Sequence, residues 1–247
     1  MSGLCVVTGA SRGIGRAVAH RMAADGYEVL ATGRDEAALA ETADTAPATI
    51  ETARLDVSNP AEIDELFAGL DVDVLVNNAG VAPSAPVHRT TLEDWEWVIR
   101  VNATGPFLCT RAVLPGMRER DHGRVITVAS MASHRGTRYT AAYTASKHAA
   151  LGFIRVVAAE LAGTGVTANA VCPAYVDTPM TANSVERMEE KTGMDEETAR
   201  KWLANVVPLG RLLDPAEVAH AVAFLAAPQS GAINGQSILL DGGGLQK

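Results

Sequence analysis

Apolar positions in this chain follow two rhythms: short unbroken runs that suit buried strands, and longer stretches in which apolar residues recur at helical spacing. The first run, residues 4–7, leads into Thr8-Gly9-Ala10-Ser11-Arg12-Gly13-Ile14-Gly15 and then into an amphipathic stretch through Ala17, Val18, Met22 and Ala23. That order predicts strand, glycine turn, helix. Further strands are expected at 27–32, 49–55, 72–76, 124–129, 166–171 and 236–240. Helices are expected at 60–67, at 95–117 apart from Gly105-Pro106, and from Tyr143 through Leu151, Ile154, Val157 and Leu161. One more opens at Asp214-Pro215-Ala216-Glu217, with proline at its first position. Strands rich in branched apolar residues and separated by helices predict an α/β chain with a parallel sheet covered on both faces. Residues 180–206 are polar, with Met180, Val185, Met188, Met194 and Trp202 at roughly helical intervals. They predict a lid past a strand end, or else a helical hairpin packed on a partner subunit.

The turns carry the candidate chemistry. Glycines in 9–15 let backbone N–H groups approach a pyrophosphate, which the helix dipole favours, so a dinucleotide is the natural ligand. A plain turn is the competing reading, because Gly9-x-x-x-Gly13-x-Gly15 differs from the generic spacing. After the second strand, Arg34 favours a ribose 2′-phosphate, with Arg12 as a second cation, and hence NADP(H). Asp35 on a ribose hydroxyl would instead select NAD(H). Asp56 stands at the third strand's end, where it could meet an adenine amino group or cap a turn. Asn77-Asn78-Ala79-Gly80 follows the fourth strand as a wall beside the cofactor or as a hydrogen-bonded loop.

Asn102 lies inside an apolar helical stretch, where it either bends the helix or projects into a site. Ser130 ends the fifth strand, with Ser133 as its substitute if that strand is longer. Tyr143 and Lys147 are four apart, so a helix puts them on one face, where the ammonium would favour ionisation of the phenol. Otherwise Tyr143 merely packs and Lys147 is solvated.

Composition narrows the class. The 247 residues suffice for one sizeable domain, and no linker divides them. Twenty-one Lys and Arg against 29 Asp and Glu give a net charge of −8, which argues against nucleic acid or a membrane surface as the main partner. Cys5, Cys109 and Cys172 are odd in number and far apart, which suggests neither disulfides nor a metal site and fits a reducing cytoplasm. The first residues lack the features of a leader, and no run reaches membrane-spanning length.

Taken together, the ordered motifs resemble the single-domain branch of the short-chain dehydrogenase/reductase family over nearly the whole chain. Thr8 to Gly15 is similar to its cofactor turn, Asn77 to Gly80 to its Asn-Asn-Ala-Gly, and Tyr143 to Lys147 to its Tyr-x-x-x-Lys. The resemblance implies a Rossmann-like, doubly wound parallel sheet of about seven strands as a single domain over 1–247. It implies a catalytic set of Asn102, Ser130, Tyr143 and Lys147, and no metal. Tyr143 would protonate the nascent alkoxide, Lys147 would lower the phenol's pKa and hold the ribose, Ser130 would bond the carbonyl oxygen, and Asn102 would anchor a water.

Cofactor contacts are implied at Gly9, Ser11, Arg12, Gly13, Ile14, Gly15, Arg34, Asp56, Val57, Asn78, Ala79, Gly80, Tyr143, Lys147, Pro173, Val176 and Thr178. Two departures stand out: Pro173-Ala174 replaces the family's usual Pro-Gly, and the connection between 60–67 and 72–76 is short.

The turns at 143–148, 171–173 and 177–180 are similar to those of 3-oxoacyl thioester reductases and polyketide ketoreductases. They point to reversible hydride transfer between NADP(H) and a β-keto substrate, free or carrier-bound, with Arg135, Arg138 and His134 facing an anionic carrier or simply solvated. Other small alcohols with NAD(H), a non-catalytic NADP(H) sensor, and an extended-branch epimerase or dehydratase are the alternatives. Tyr143 and Lys147 speak against the sensor, and the chain has no room for the extended branch's substrate domain. The resemblance further implies a homotetramer.

Overall fold

Strand β1 (Leu4–Thr8) runs through the glycine turn into helix α1 (Gly13–Ala24), as the sequence predicts. The computed structural model describes residues 3–246. The chain continues through β2 (Glu28–Gly33), α2 (Glu36–Asp44), β3 (Ile50–Arg54), α3 (Pro60–Phe67) and β4 (Val72–Asn77). Next come α4 (Leu92–Ile99), α5 (Gly105–Glu119), β5 (Gly123–Val128), α6 (Ala141–Glu160) and β6 (Val166–Pro173). Helices α7 (Pro179–Thr192), α8 (Glu196–Ala204) and α9 (Pro215–Ala226) precede the last strand, β7 (Ser237–Leu240).

The seven strands form one sheet in the order β3-β2-β1-β4-β5-β6-β7, with every pairing parallel. All carboxyl ends therefore lie along one edge. The order reverses between β1 and β4, which opens the crevice where ligands bind in such sheets. Side chains alternate between two buried faces. Cys5 and Val7 join Val18 and Met22 of α1 and Val218, Val222 and Leu225 of α9. Val6 faces the other way, into a cluster with Ile63 of α3, Leu108 and Met117 of α5, and Ile154 and Leu161 of α6.

Two elements differ from the sequence expectation. Helix α2 sits where none was expected, opened by Asp35, whose carboxylate accepts the Ala38 N–H at 3.1 Å. The stretch at 95–117 is two helices joined by a π-helical turn over Arg100–Thr104. Pro106 has no N–H to offer the Asn102 carbonyl, and Gly105 donates instead to Arg100, so the turn widens. Residues 180–206 are largely the pair α7 and α8, joined through Gly193 at φ +72°. Val185, Ala199 and Leu203 bury one face of this hairpin against Tyr175, Met188 and Leu212. Among the described residues, no helix is long and apolar enough to cross a membrane.

Candidate active site

The glycine turn is a cradle that side chains would fill. A Cβ on Gly15 would overlap the Gly9 carbonyl, and one on Gly9, itself at φ +66°, would come within 2.7 Å of Ala79 Cα. The β4 loop locks this turn in place. Thr8 Oγ1 accepts the N–H groups of Asn78 and Ala79 at 3.0 and 3.1 Å, while Asn78 Nδ2 donates to the Thr8 and Gly9 carbonyls at 2.9 and 3.0 Å. Asn78 thus braces the cradle with its side chain. Gly13 lies against Thr178, whose Cγ2 would be 3.1 Å from a Cβ there, so the turn meets the start of α7. Ser11 is buried beneath Gly33, and Ile14 packs on the core.

Next along the edge lie the charges that would meet a nucleotide's ribose. Asp35 caps α2 and pairs with Arg12, so its carboxylate already has partners. Arg34 is exposed and stands 4.0 Å from Asp56. Asp56 Oδ1 accepts from both the N–H and the hydroxyl of Ser58, at 2.9 and 2.7 Å, which is the turn-capping arrangement. Val57 is buried against Gly105 of α5.

Ser130, Tyr143 and Lys147 cluster where β5 ends. Ser130 leaves the strand with its Oγ accepting the Ala132 N–H at 3.1 Å, and it hydrogen-bonds the Tyr143 phenol. Ser133 is buried nearby with its hydroxyl unpartnered among the described residues; it is Ser130 that reaches Tyr143. Lys147, 6 % exposed, donates to the Val128 carbonyl at 2.9 Å and lies 5.7 Å from the centre of the Tyr143 ring. Helical spacing stacks the ammonium over the ring.

Burial sets both acidities. It pushes the Tyr143 phenol above its ordinary 10.0, with the Ser130 hydrogen bond pulling the other way, and it pulls the Lys147 ammonium from 10.5 down to about 8. Desolvation therefore outweighs the lowering of the phenol that the tyrosine–lysine spacing suggests.

Asn102, 1 % exposed, sits in the π turn with its amide fully engaged. Its Oδ1 accepts from Val81 N–H at 2.9 Å, and its Nδ2 donates to Val81 O at 2.9 Å and Ser146 Oγ at 3.0 Å. Ser146 Oγ in turn donates to the Tyr143 carbonyl at 2.7 Å. The chain Val81–Asn102–Ser146–Tyr143 thus fixes α6 against the β4 loop.

The far wall is the segment after β6. Ala174 N–H donates to Leu240 O at 3.0 Å, Val176 bridges to Leu213, and Thr178 caps α7. Among the described non-glycine residues only Asp121 and Tyr139 have positive φ, so alanine at 174 carries no left-handed strain. The structure thus gathers Gly9, Gly13, Gly15, Asn78, Ala79, Gly80, Asn102, Ser130, Tyr143, Lys147, Pro173, Val176 and Thr178 along one edge of the sheet. Sequence reasoning passed over Thr8 and Ser146 as bracing residues and Tyr175, which helps to raise the Tyr143 phenol. A hydroxyl just before the glycine turn was the legible signal for Thr8; for the other two there was none.

Such an edge, with a glycine cradle beside a serine–tyrosine–lysine cluster, defines a dinucleotide-dependent oxidoreductase. The chain belongs to the short-chain dehydrogenase/reductase family: residues 9–244 match the family described as enoyl-(acyl carrier protein) reductase. It is 37% identical over 250 residues to acetoacetyl-CoA reductase of Shinella zoogloeoides, covering 98% of each chain. Against 3-oxoacyl-(acyl-carrier-protein) reductase of Vibrio cholerae it is 36% identical, covering 97% of this chain and 96% of that one. A crystal structure of an actinorhodin polyketide ketoreductase variant with NADPH superposes with a TM-score of 0.94 at 37% identity, over 98% of this chain and 97% of the other.

Proposed function

We propose that the protein reduces a ketone to a secondary alcohol with NADPH, reversibly, and that its substrate is a β-keto compound such as a 3-oxoacyl or polyketide group, free or carrier-bound. The observation that carries this reading is the convergence of Ser130, Tyr143 and Lys147 beside the glycine cradle. The acetoacetyl-CoA and 3-oxoacyl reductases among the relatives support the β-keto class. Their NADPH-bound structural neighbour supports the cofactor. When bound, the nicotinamide supplies the hydride.

The protein's own residues do the rest. Gly9, Gly13 and Gly15 with the α1 amino terminus would hold the phosphates, and Lys147 the nicotinamide ribose. Arg34 would take the 2′-phosphate, because Asp35, its acidic rival, is engaged by α2 and Arg12. Ser130 would bond the carbonyl oxygen and Tyr143 would give it a proton. Asn102 is a positioning residue. Incubating the protein with NADPH or NADH and a panel of β-keto thioesters and cyclic ketones tests the reading: NADPH consumption with a β-keto thioester is expected, and a preference for NADH would return the ribose to Asp35.

Assembly and location belong to the same proposal. The exposed Phe107 and Val156 lie on α5 and α6, and the exposed Phe224 on α9. These helices suit the two interfaces of a homotetramer. Three buried free cysteines suit the cytoplasm.

A further inference from the structure

Helix α7 carries a charge that has no counter-ion among the described residues. Arg187, on α7, is half-buried, and its Nη2 donates to Ala82 O and Ser184 Oγ, both at 3.3 Å and so at the long end for such bonds. Its buried Nε has no partner among the described residues. Glu186, Glu189 and Glu190 share the helix, yet no described carboxylate comes within 4.0 Å of its guanidinium. Several other arginines do find carboxylates. Arg16 meets both oxygens of Glu41 at 2.8 Å, and Arg211 meets both of Glu217 at 2.6 and 2.8 Å. Arg124 shares an unpartnered Nε, but it lies at the opposite end of β5, where two carbonyls hold it at 2.8 and 2.9 Å.

Its position gives the charge a use. Ala82 is two residues past Gly80, where a Cβ would be 3.4 Å from Asn102 Oδ1 and 3.8 Å from Lys147 Nζ. The guanidinium therefore spans from α7 to the lip of the Ser130–Tyr143–Lys147 cluster. On the β5 side Arg135, half-buried and also without an ion pair among the described residues, pulls the Tyr175 phenol down against the rise that burial gives it. A half-buried guanidinium with a buried, unpartnered Nε gains from an anion beside it, and a chain of net charge −8 would otherwise repel anions.

We propose that Arg187 is the receptor for an anionic group on the keto substrate, a carboxylate or a phosphate. This rests on the ketoreductase reading. The test compares wild type, Arg187→Gln and Arg187→Lys on acetoacetate, acetoacetyl-CoA and the neutral thioester S-acetoacetyl-N-acetylcysteamine, with calorimetry of malonate binding alongside. Arg187→Gln should lower kcat/KM about ten- to hundredfold on an anionic substrate and leave the neutral thioester within about threefold, with Arg187→Lys recovering part. Loss confined to acetoacetate assigns a carboxylate, and loss confined to acetoacetyl-CoA assigns a phosphate. Equal loss on the neutral thioester, or no loss on any substrate, overturns the proposal. If wild type turns over none of the three, the ketoreductase reading fails on its own. Malonate binding then still decides on Arg187: weaker binding by Arg187→Gln upholds it, and unchanged or absent binding rejects it.

Discussion

At Tyr143, burial holds the phenol above 10.0 while Ser130 pulls it down, so the proton stays on the residue at neutral pH and is available for donation. Tyr143→Phe should fold and bind NADPH but lose turnover by about a thousandfold, the scale of a general acid; a stopped assay on the purified variant checks this. Lys147 adds a stability signature. Its folded value is about 8 against an ordinary 10.5, so between these pH values the unfolded chain holds a proton that the fold has released. Stability contributed by this site therefore rises as pH climbs from about 8 to 10.5, and the burial cost is complete below 8. Urea unfolding of wild type and Lys147→Met should show the variant's relative advantage shrinking by up to about 3 kcal/mol over that range. Tyr143 and Lys147 were legible because four-residue spacing fixes a shared helical face. The direction of the phenol's shift was not, because burial is a property of the packed site. Arg187 was invisible for the same reason: only folding brings it to Ala82.

Between elements, the cradle depends on backbone closeness. Gly15→Ala would drive a methyl into the Gly9 carbonyl, so NADPH affinity should fall at least tenfold by fluorescence titration, with a lower melting temperature. Helix α9 depends on its cap: Asp214 and Glu217 form a capping box, and Arg211 grips Glu217 and holds its carboxyl down at about 2. A depressed carboxyl stabilises above its unfolded value and loses that contribution as pH falls from about 4.5 to 2. Since Glu217 is more than a third exposed, Glu217→Gln should cost only about 1 kcal/mol at pH 7, with the difference vanishing near pH 2. The central strands were legible to within a residue or two because both faces are buried and their apolar runs are nearly unbroken, whereas the edge strand β3, Ile-Glu-Thr-Ala-Arg, is largely exposed. Helix α2 escaped because it is short and mostly exposed, although Asp35 ahead of an alanine-rich run was a readable cap. The π turn escaped because hydrophobic spacing does not register one widened turn.

For the whole molecule, the parallel order that reverses between β1 and β4 brings distant turns to one edge, and this is what unites residues 8–15, 77–81, 102, 130, 143–147 and 173–178. Fold class followed from the alternation of strand and helix, whereas assembly depends on exposed faces that sequence marks only weakly. Light scattering should return four times the 25.8 kDa of one chain, and charge substitution at Phe107 and Val156 should lower that mass. The most direct test of the proposed chemistry is the rate of NADPH consumption with S-acetoacetyl-N-acetylcysteamine, measured for wild type and Tyr143→Phe under conditions where both bind NADPH. The account predicts stoichiometric formation of the β-hydroxy thioester by wild type and near-silence from the variant; equal rates from the two proteins would contradict it.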